Sequence, residues 1–346
     1  MKNVLITGGS GFFGSILEKE LANKGFKCVN IDLERDDFKH ENLQSVQGDI
    51  CDKDLLEKIF SQNSFDCVFH FAAILAHAVK DKKFLWNSNV EGTRNVVSNC
   101  KKYGVKNLVF TSSNCLWAQN FHRPVLENDL PNPVEIYGKS KLEGEKILQS
   151  YSGFVNSVII RCPTIMDGGR LGLLGILFEF IDEGRKVWTV GGGDNVYQFI
   201  YAKDLADACL KAMDYPKTEI FNIGSDNVKS FKEVYDYVIK KSGNTKAKVA
   251  SLPRNFAIPA MKIAHALKIS PLGPYQYKMI AEDFIFDTSK IKEKLNWRPT
   301  MSNEDMLLKT YLYYRDNKDD IKNRKNVSAH KQSAKMGIIK LLKWIS

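Results

Sequence analysis

The chain has 346 residues, 44% apolar and 26% charged, the balance of a folded protein and not of a disordered one. Its length suits one large α/β unit with an added lobe. Lys and Arg exceed Asp and Glu by 50 to 40, a net +10, but the last thirty residues hold +6 of it and the other 316 hold +4, which excludes a basic nucleic-acid-binding body.

Strands and helices alternate from the start. Residues 4–6 read as a strand, 15–22 have helical spacing, and 28–31 form a second strand. A helix is predicted at 55–60, a strand at 67–71, a helix at 89–103 and a strand at 108–110. A helix at 137–151 and a strand at 157–160 follow. Short apolar runs separated by amphipathic helices predict an α/β Rossmann fold, a doubly wound parallel sheet. Past Pro163 the rhythm loosens. Helical segments at 171–181, 231–241 and 256–267 alternate with strand candidates at 187–190, 199–201 and 284–286. The expected organisation is a dinucleotide-binding domain at 1–165, to which later segments return, then a smaller α/β substrate lobe at 166–316. A basic linker and amphipathic tail occupy 317–346.

Seven cysteines are scattered without a C-x-x-C pair, which gives neither a disulfide framework nor a metal site and fits a reducing cytosol. The chain opens on Val4-Leu5-Ile6 with no charged-then-apolar leader, and its longest apolar candidate, 171–181, is interrupted by Glu179. The expected location is cytoplasmic.

The first strand runs into Thr7-Gly8-Gly9-Ser10-Gly11-Phe12-Phe13-Gly14. Gly8, Gly11 and Gly14 permit a tight turn and close approach of backbone to a pyrophosphate, and the N–H groups of Phe12 and Phe13 open the helix that faces the anion. Asp32 ends the second strand, 18 residues after Gly14, where a carboxylate accepts hydrogen bonds from ribose hydroxyls and repels a 2′-phosphate. NAD is the expected cofactor, although Arg35 lies close by in sequence.

Tyr137 and Lys141 are four apart at the start of a helix and share one face. An ammonium beside a phenol favours phenolate and makes Tyr137 a proton carrier. Ser112 and Ser113 end a strand at the carboxyl edge of the sheet, where ligands bind.

With these residues the chain resembles the extended short-chain dehydrogenase/reductases, the NAD-dependent epimerase/dehydratase family. The matching landmarks include TGGSGFFG, Asp32, Gly48-Asp49-Ile50, His70-Phe71-Ala72-Ala73, Asn89-Val90-Glu91-Gly92-Thr93, Thr111-Ser112-Ser113, YGKSK, Arg161-Cys162-Pro163-Thr164 and Phe221-Asn222-Ile223-Gly224, in family order. The resemblance implies that Tyr137 moves the substrate hydroxyl proton. Lys141 would tune Tyr137 and hold the nicotinamide ribose, and Ser113 would contact the substrate oxygen. It also implies that Asp49 and Ile50 flank adenine, that Phe71, Ala72, Ala73 and Asn89 line the cofactor cleft, and that Pro163 and Thr164 approach the nicotinamide. A homodimer through a helix pair is implied as well.

Family dehydratases carry acidic residues after the catalytic hydroxyl; here Asn114 and Cys115 stand there, which disfavours dehydration. Cys115 resembles the cysteine that removes a proton beside the ketone in members epimerising carbon 3 or 5; the alternative is a small buried cysteine closing the strand. The substrate lobe departs from the nucleotide-sugar pattern: Tyr197-Gln198 replaces an Arg-Asp, and the Arg of a pyrophosphate clamp is replaced around Tyr277 or Lys278. Arg170, Tyr197 and Arg254 are the substrate-contact candidates.

In the tail, Ile338, Leu341, Leu342 and Ile345 fall on one stripe flanked by Lys340 and Lys343, with Trp344 beside it. It reads as a membrane-surface helix on a flexible tether, or as a helix docked on the body. The expected activity is therefore NAD-dependent 4-epimerisation of a nucleotide-linked or polyprenyl-linked sugar in surface-glycan synthesis, peripheral at the cytosolic membrane face. Two alternatives stand beside it. One is a dehydrogenase or ketoreductase of a sugar or an apolar, steroid-like alcohol; the other is a non-catalytic nicotinamide-binding sensor.

Overall fold

The computed structural model describes residues 2–75, 81–118, 120–270, 273–323 and 336–344. In chain order, β1 (Asn3–Thr7) leads to α1 (Gly14–Asn23), β2 (Lys27–Asp32), β3 (Leu43–Gln47), α2 (Lys53–Gln62) and β4 (Cys67–His70). Then come α3 (Lys82–Trp86), a π turn at Asn87–Glu91, α4 (Gly92–Lys102), β5 (Asn107–Ser113), α5 (Ile136–Ser150) and β6 (Asn156–Cys162). The chain continues through β7 (Thr164–Met166), α6 (Leu174–Asp182), β8 (Lys186–Val190), β9 (Phe199–Tyr201), α7 (Ala202–Ala212), β10 (Glu219–Asn222) and α8 (Phe231–Ser242). It ends with β11 (Lys248–Leu252), α9 (Arg254–Ala266), α10 (Pro274–Met279), α11 (Ser289–Lys294), α12 (Asn303–Asp316), α13 (Lys318–Asn323) and α14 (Ile339–Trp344).

Seven strands form one sheet in the order β10-β6-β5-β4-β1-β2-β3, and every pairing is parallel. The central strands are apolar on both faces because helices cover both faces: Val4, Leu5 and Ile6 are fully buried. One face packs Leu17 and Leu21 of α1 with Leu205 and Cys209 of α7; the other packs Leu56 of α2, Val96 of α4 and Leu148 of α5. The order reverses between β1 and β4, so a crevice opens at their carboxyl ends.

A third core joins α6, α8 and α12 through Phe178, Val238, Tyr311 and Tyr314, and small sheets β8–β11 and β7–β9 extend this lobe. Chain beyond residue 166 also re-enters the first unit. Strand β10 becomes its edge, and Trp297, fully buried, donates from Nε1 to the Asp204 carbonyl at 2.8 Å.

The tail differs from a free tether. Met336 is buried in the third core, Ile339 packs against it, and Lys343 pairs with Glu179 and Glu183 around the end of α6. The linker also acquires structure at its start: α13 buries Ile321, and Lys318 pairs with Asp182. Six helical residues are too few to display the predicted stripe. Ile345 and the side chains of Leu341 and Leu342 lie outside the described residues, as do those of Tyr277 and Lys278. Among the described residues no helix is long and apolar enough to cross a membrane.

Arg161, readable from sequence as a strand-end charge, is a buried structural cation. Its guanidinium is bidentate to Glu145 at 2.7 and 3.0 Å, donates to the Glu127 carbonyl at 2.8 Å, and lies 4.9 Å from the Trp117 ring. This fork ties α5 to β6 beneath the site. Replacing Glu145→Ala leaves the guanidinium buried without its carboxylate and is expected to cost about 3–5 kcal/mol in chemical denaturation. A loss of about 1 kcal/mol or less, the size of an exposed pair, would contradict this.

Candidate active site

The glycine loop fits a dinucleotide for steric reasons. Gly8 adopts φ +80°, and a Cβ there would sit 2.6 Å from the Ala72 nitrogen. A Cβ on Gly14 would strike the Gly8 carbonyl. The Gly8 N–H donates to the Ile31 carbonyl at 2.9 Å, which holds the loop against β2. Phe13 caps α1 at its start, so the glycine loop leads from the end of β1 into the amino end of that helix, where N–H groups lack partners within the helix. Phe13 itself is a core side chain, edge-on to Phe71 at 4.9 Å between ring centres.

Asp32 ends β2 with Oδ2 accepting from the Ser10 N–H and Oδ1 from the Glu34 N–H, both at 3.0 Å. Burial raises its carboxyl above the ordinary value, against the pull of those two N–H groups. Beyond β3, the Asp49 Oδ1 accepts from the Cys51 N–H at 2.8 Å, and buried Ile50 accepts at its carbonyl from Asn95 Nδ2 at 3.2 Å. A glycine cradle, a carboxylate at the end of β2 and an apolar wall at Ile50 suit the phosphates, ribose and adenine of NAD.

A buried polar chain crosses beneath the crevice. Thr93 Oγ1 donates to the Asn89 carbonyl at 2.7 Å, so it accepts from His70 Nε2 at 2.8 Å. His70 Nδ1 then accepts from Thr7 Oγ1 at 2.6 Å, and Thr7 Oγ1 accepts from the Ala72 N–H at 3.3 Å. One imidazole tautomer satisfies every group. Burial, then the nearby Lys141, holds His70 down to about 3, so it is neutral. Asn89 extends the chain. Its Oδ1 accepts from the Ile74 N–H at 2.7 Å, and its Nδ2 donates to the Ile74 carbonyl and to Ser140 Oγ, each at 3.0 Å. Ser140 Oγ in turn donates to the Tyr137 carbonyl at 2.8 Å. Asn89, expected to line the cofactor cleft, thus also fixes the loop after β4 to the helix carrying Tyr137.

Ser113, at the end of β5, accepts from the Cys115 N–H at 3.1 Å, lies 3.5 Å from Asn114 Oδ1, and favours ionisation of the Tyr137 phenol. The expected lowering of Tyr137 by Lys141 does not dominate here. Burial pushes the phenol up; the opposing influences are the Arg170 cation and the Ser113 hydrogen bond. Lys141 instead lies 3.8 Å from the centre of the Phe110 ring, and burial lowers it to about 7.

Arg170 and Tyr197 both reach this centre. The Arg170 guanidinium lies 5.8 Å from the Phe12 ring and feels Tyr137 and Tyr197; burial lowers it to about 10. Tyr197 accepts from Asn114 Nδ2, and its hydroxyl lies 3.0 Å from that of Tyr275 and 3.5 Å from Thr164 Oγ1. Asn114 was read from sequence only as the residue standing where dehydratases carry an acid, and Tyr275 carried no sequence signal, since it belongs to no spaced motif. Cys115 touches Tyr275, but burial pushes its thiol up to about 11, so at neutral pH it is an SH group and not a thiolate. Arg254 stands apart from Tyr137. It is exposed, lies 3.4 Å from Glu282, and borders a cavity of about 420 Å³ shared with Ala118, Asn120, His122, Asn132 and Val134.

A model of the NAD dependent epimerase/dehydratase family matches residues 4–224. The chain is 34% identical over 344 residues to uncharacterized protein y4nG of Sinorhizobium fredii, spanning 99% of this chain and 86% of that one. It is 31% identical over 288 residues to the N-acetyl-alpha-D-glucosaminyl-diphospho-ditrans,octacis-undecaprenol 4-epimerase of Escherichia coli O157:H7, spanning 81% of this chain and 80% of that one. Among solved structures, UDP-glucose 4-epimerase of Thermotoga maritima with UDP-glucose is similar, with a TM-score of 0.73, 26% identity, and 91% and 99% of the two chains covered.

Lys141 gives a direct test of the site's electrostatics. Its value falls from 10.5 to about 7 in the folded chain, so the folded state binds fewer protons than the unfolded one between those limits. Burial therefore costs stability fully below pH 7 and progressively less toward pH 10.5. Lys141→Met is expected to melt higher than the parent at pH 6 and to lose that advantage as pH approaches 10.5, read by calorimetry. A gap that stays constant with pH would contradict it.

Proposed function

This chain belongs to the NAD-dependent epimerase/dehydratase family and is an enzyme with NAD as cofactor; from that premise we propose that it inverts carbon 4 of a sugar carried on a polyprenyl or nucleoside diphosphate. The observation that carries this is the setting of the Tyr137 phenol among Ser113, Arg170 and a neutral Cys115, beside the bonded Asn114, Tyr197 and Tyr275. Among the described residues, the centre has a proton carrier for a hydroxyl; the carboxylate of Glu135 is engaged by the Tyr275 N–H at 2.9 Å, and Cys115 is a neutral thiol and not a thiolate.

The glycine loop, Asp32, Ile50 and Lys141 would hold the cofactor, with Pro163 and Thr164 beside its nicotinamide. NAD supplies a reversible hydride acceptor at the sugar's carbon 4. The Tyr137 phenol is the proton station: its oxygen takes the proton from the 4-hydroxyl and returns it when the ketone, turned over, is reduced on its other face. Ser113 fixes the same oxygen. The Arg170 cation opposes the burial cost of a phenolate at Tyr137. A buried Tyr197, held by Asn114 and Tyr275, stands where the nucleotide-sugar pattern has an Arg, and this removes a bidentate phosphate contact. That supports a lipid-linked diphosphate over a plain nucleotide sugar, with exposed Arg254 at the outer cavity as the diphosphate contact. The likeness to the undecaprenol-linked 4-epimerase supports the same choice.

Incubation of candidate polyprenyl-linked and UDP-linked N-acetylhexosamines with the enzyme and NAD, followed by NMR of the sugar, is expected to give the 4-epimer of the polyprenyl-linked compound without accumulation of NADH. Tyr137→Phe is expected to cut this turnover by at least about 100-fold. Stoichiometric NADH would instead identify a dehydrogenase, and full activity of Tyr137→Phe would refute the proton assignment.

A further inference from the structure

The charge of the body is not evenly spread. Between Tyr237 and Ala281 there are eight Lys or Arg and no Asp or Glu. That +8 and the tail's +6 together exceed the +10 of the whole chain, so the remaining residues are net negative. The described end of the tail touches the first stretch: the Ile338 N–H donates to the Ile269 carbonyl at 2.9 Å, which sets residues 336–344 against the chain just past α9.

Helix α9 is unusual at the same place. It buries only Ala257 and Ala264, while Phe256, Ile263, Leu267 and the following Ile269 are 68, 61, 64 and 45% exposed. Lys262 and Lys268 are exposed among them, and on the tail Trp344 is 83% exposed, with Lys340 exposed nearby. Arg254 and Lys343 meet carboxylates, but Lys262, Lys268 and Lys340 have no acidic partner among the described residues. Exposed apolar and aromatic side chains interleaved with such cations match the interfacial region of an anionic bilayer, where rings and aliphatics enter the acyl boundary while ammonium groups meet lipid phosphates. A protein partner of ordinary composition would not need so one-sided a charge.

The position matters for substrate entry. Arg254 opens α9 and borders the outer cavity with Asn120, Asn132 and Val134. A membrane lying on α9 would therefore lie beside that cavity.

We propose that α9, its continuation to Ile269 and the docked tail form one surface that binds an anionic phospholipid bilayer and sets the cavity at Arg254 beside the lipid headgroups. This rests on the reading of a lipid-linked sugar as substrate and names the surface that would deliver it. The net negative remainder of the body disfavours any other orientation on the bilayer.

The test uses the full chain with NAD and vesicles of phosphatidylcholine with or without phosphatidylglycerol. The parent is expected to sediment with phosphatidylglycerol vesicles, to bind pure phosphatidylcholine at least about tenfold less, and to release as salt rises. Two double variants, Phe256→Ser with Leu267→Ser and Lys262→Glu with Lys268→Glu, are each expected to lose binding at least about tenfold. Their melting temperature and NAD affinity should stay at parental values. Parental vesicle binding by both variants overturns the proposal, and so does a parent whose sedimentation ignores lipid charge. A parental dimer that the variants dissolve, with no vesicle binding, overturns it by identifying a second copy as the occupant. The substrate reading is separable: vesicle binding that depends on this surface, in an enzyme that turns over only UDP-linked sugars, would sink the lipid-linked substrate and leave the surface standing.

Discussion

A neutral imidazole at the centre of the sheet is the constraint on which the site depends. His70 is fully buried and is bonded on both nitrogens to threonine hydroxyls, Thr7 at the end of β1 and Thr93 on α4. Each partner has a second bond that fixes its direction, so the chain from the Ala72 N–H to the Asn89 carbonyl has one consistent arrangement of protons. A charged His70 would force the Thr7 hydroxyl to turn its proton away from Nδ1, and it would carry its charge without water beside Lys141. Through Asn89 and Ser140 the same chain reaches the backbone of Tyr137. The glycine turn and the helix that carries Tyr137 are thereby held in one register.

Around this frame, burial and charge are in tension. Tyr137 is pushed toward the neutral phenol and Lys141 toward the neutral amine, each by loss of water. Arg170 is the cation placed to favour ionisation of Tyr137, and it comes from a loop of the substrate lobe after β7. Under the proposed function the fold divides the work: the sheet would supply cofactor contacts and the proton carrier, whereas the lobe would supply a cation and the bonded Tyr197–Tyr275 pair on the sugar side.

Much of the first unit was legible from sequence because its signals are local. The glycine loop, Asp32 and the Tyr137–Lys141 spacing all depend on a strand-to-helix turn or on one helix face. Strand β3 was missed because its sequence, Leu-Gln-Ser-Val-Gln, has mostly exposed side chains at the sheet edge and little apolar signal. Helix α7 and strand β10 return to the sheet from beyond residue 200, a pairing that no local pattern announces. Four-residue spacing puts Tyr137 and Lys141 on one face but does not reveal that Lys141 Nζ lies over the Phe110 ring. Tyr275 joins the site from the far end of the chain. The tail's apolar residues were visible, but the core that takes Met336 and Ile339, and the Glu179 and Glu183 that pair with Lys343, were not.

The most direct test of the account is the fate of hydrogen at carbon 4. The sugar substrate labelled with deuterium at that carbon, turned over in ordinary water, is expected to yield an epimer that retains the label at carbon 4. In the reverse experiment, unlabelled sugar in heavy water is expected to gain no carbon-bound deuterium, as judged by NMR. Deuterium entering at carbon 3 or 5 from heavy water would contradict the account, because it would require a base at a neighbouring carbon, the task for which Cys115 is held as a neutral thiol.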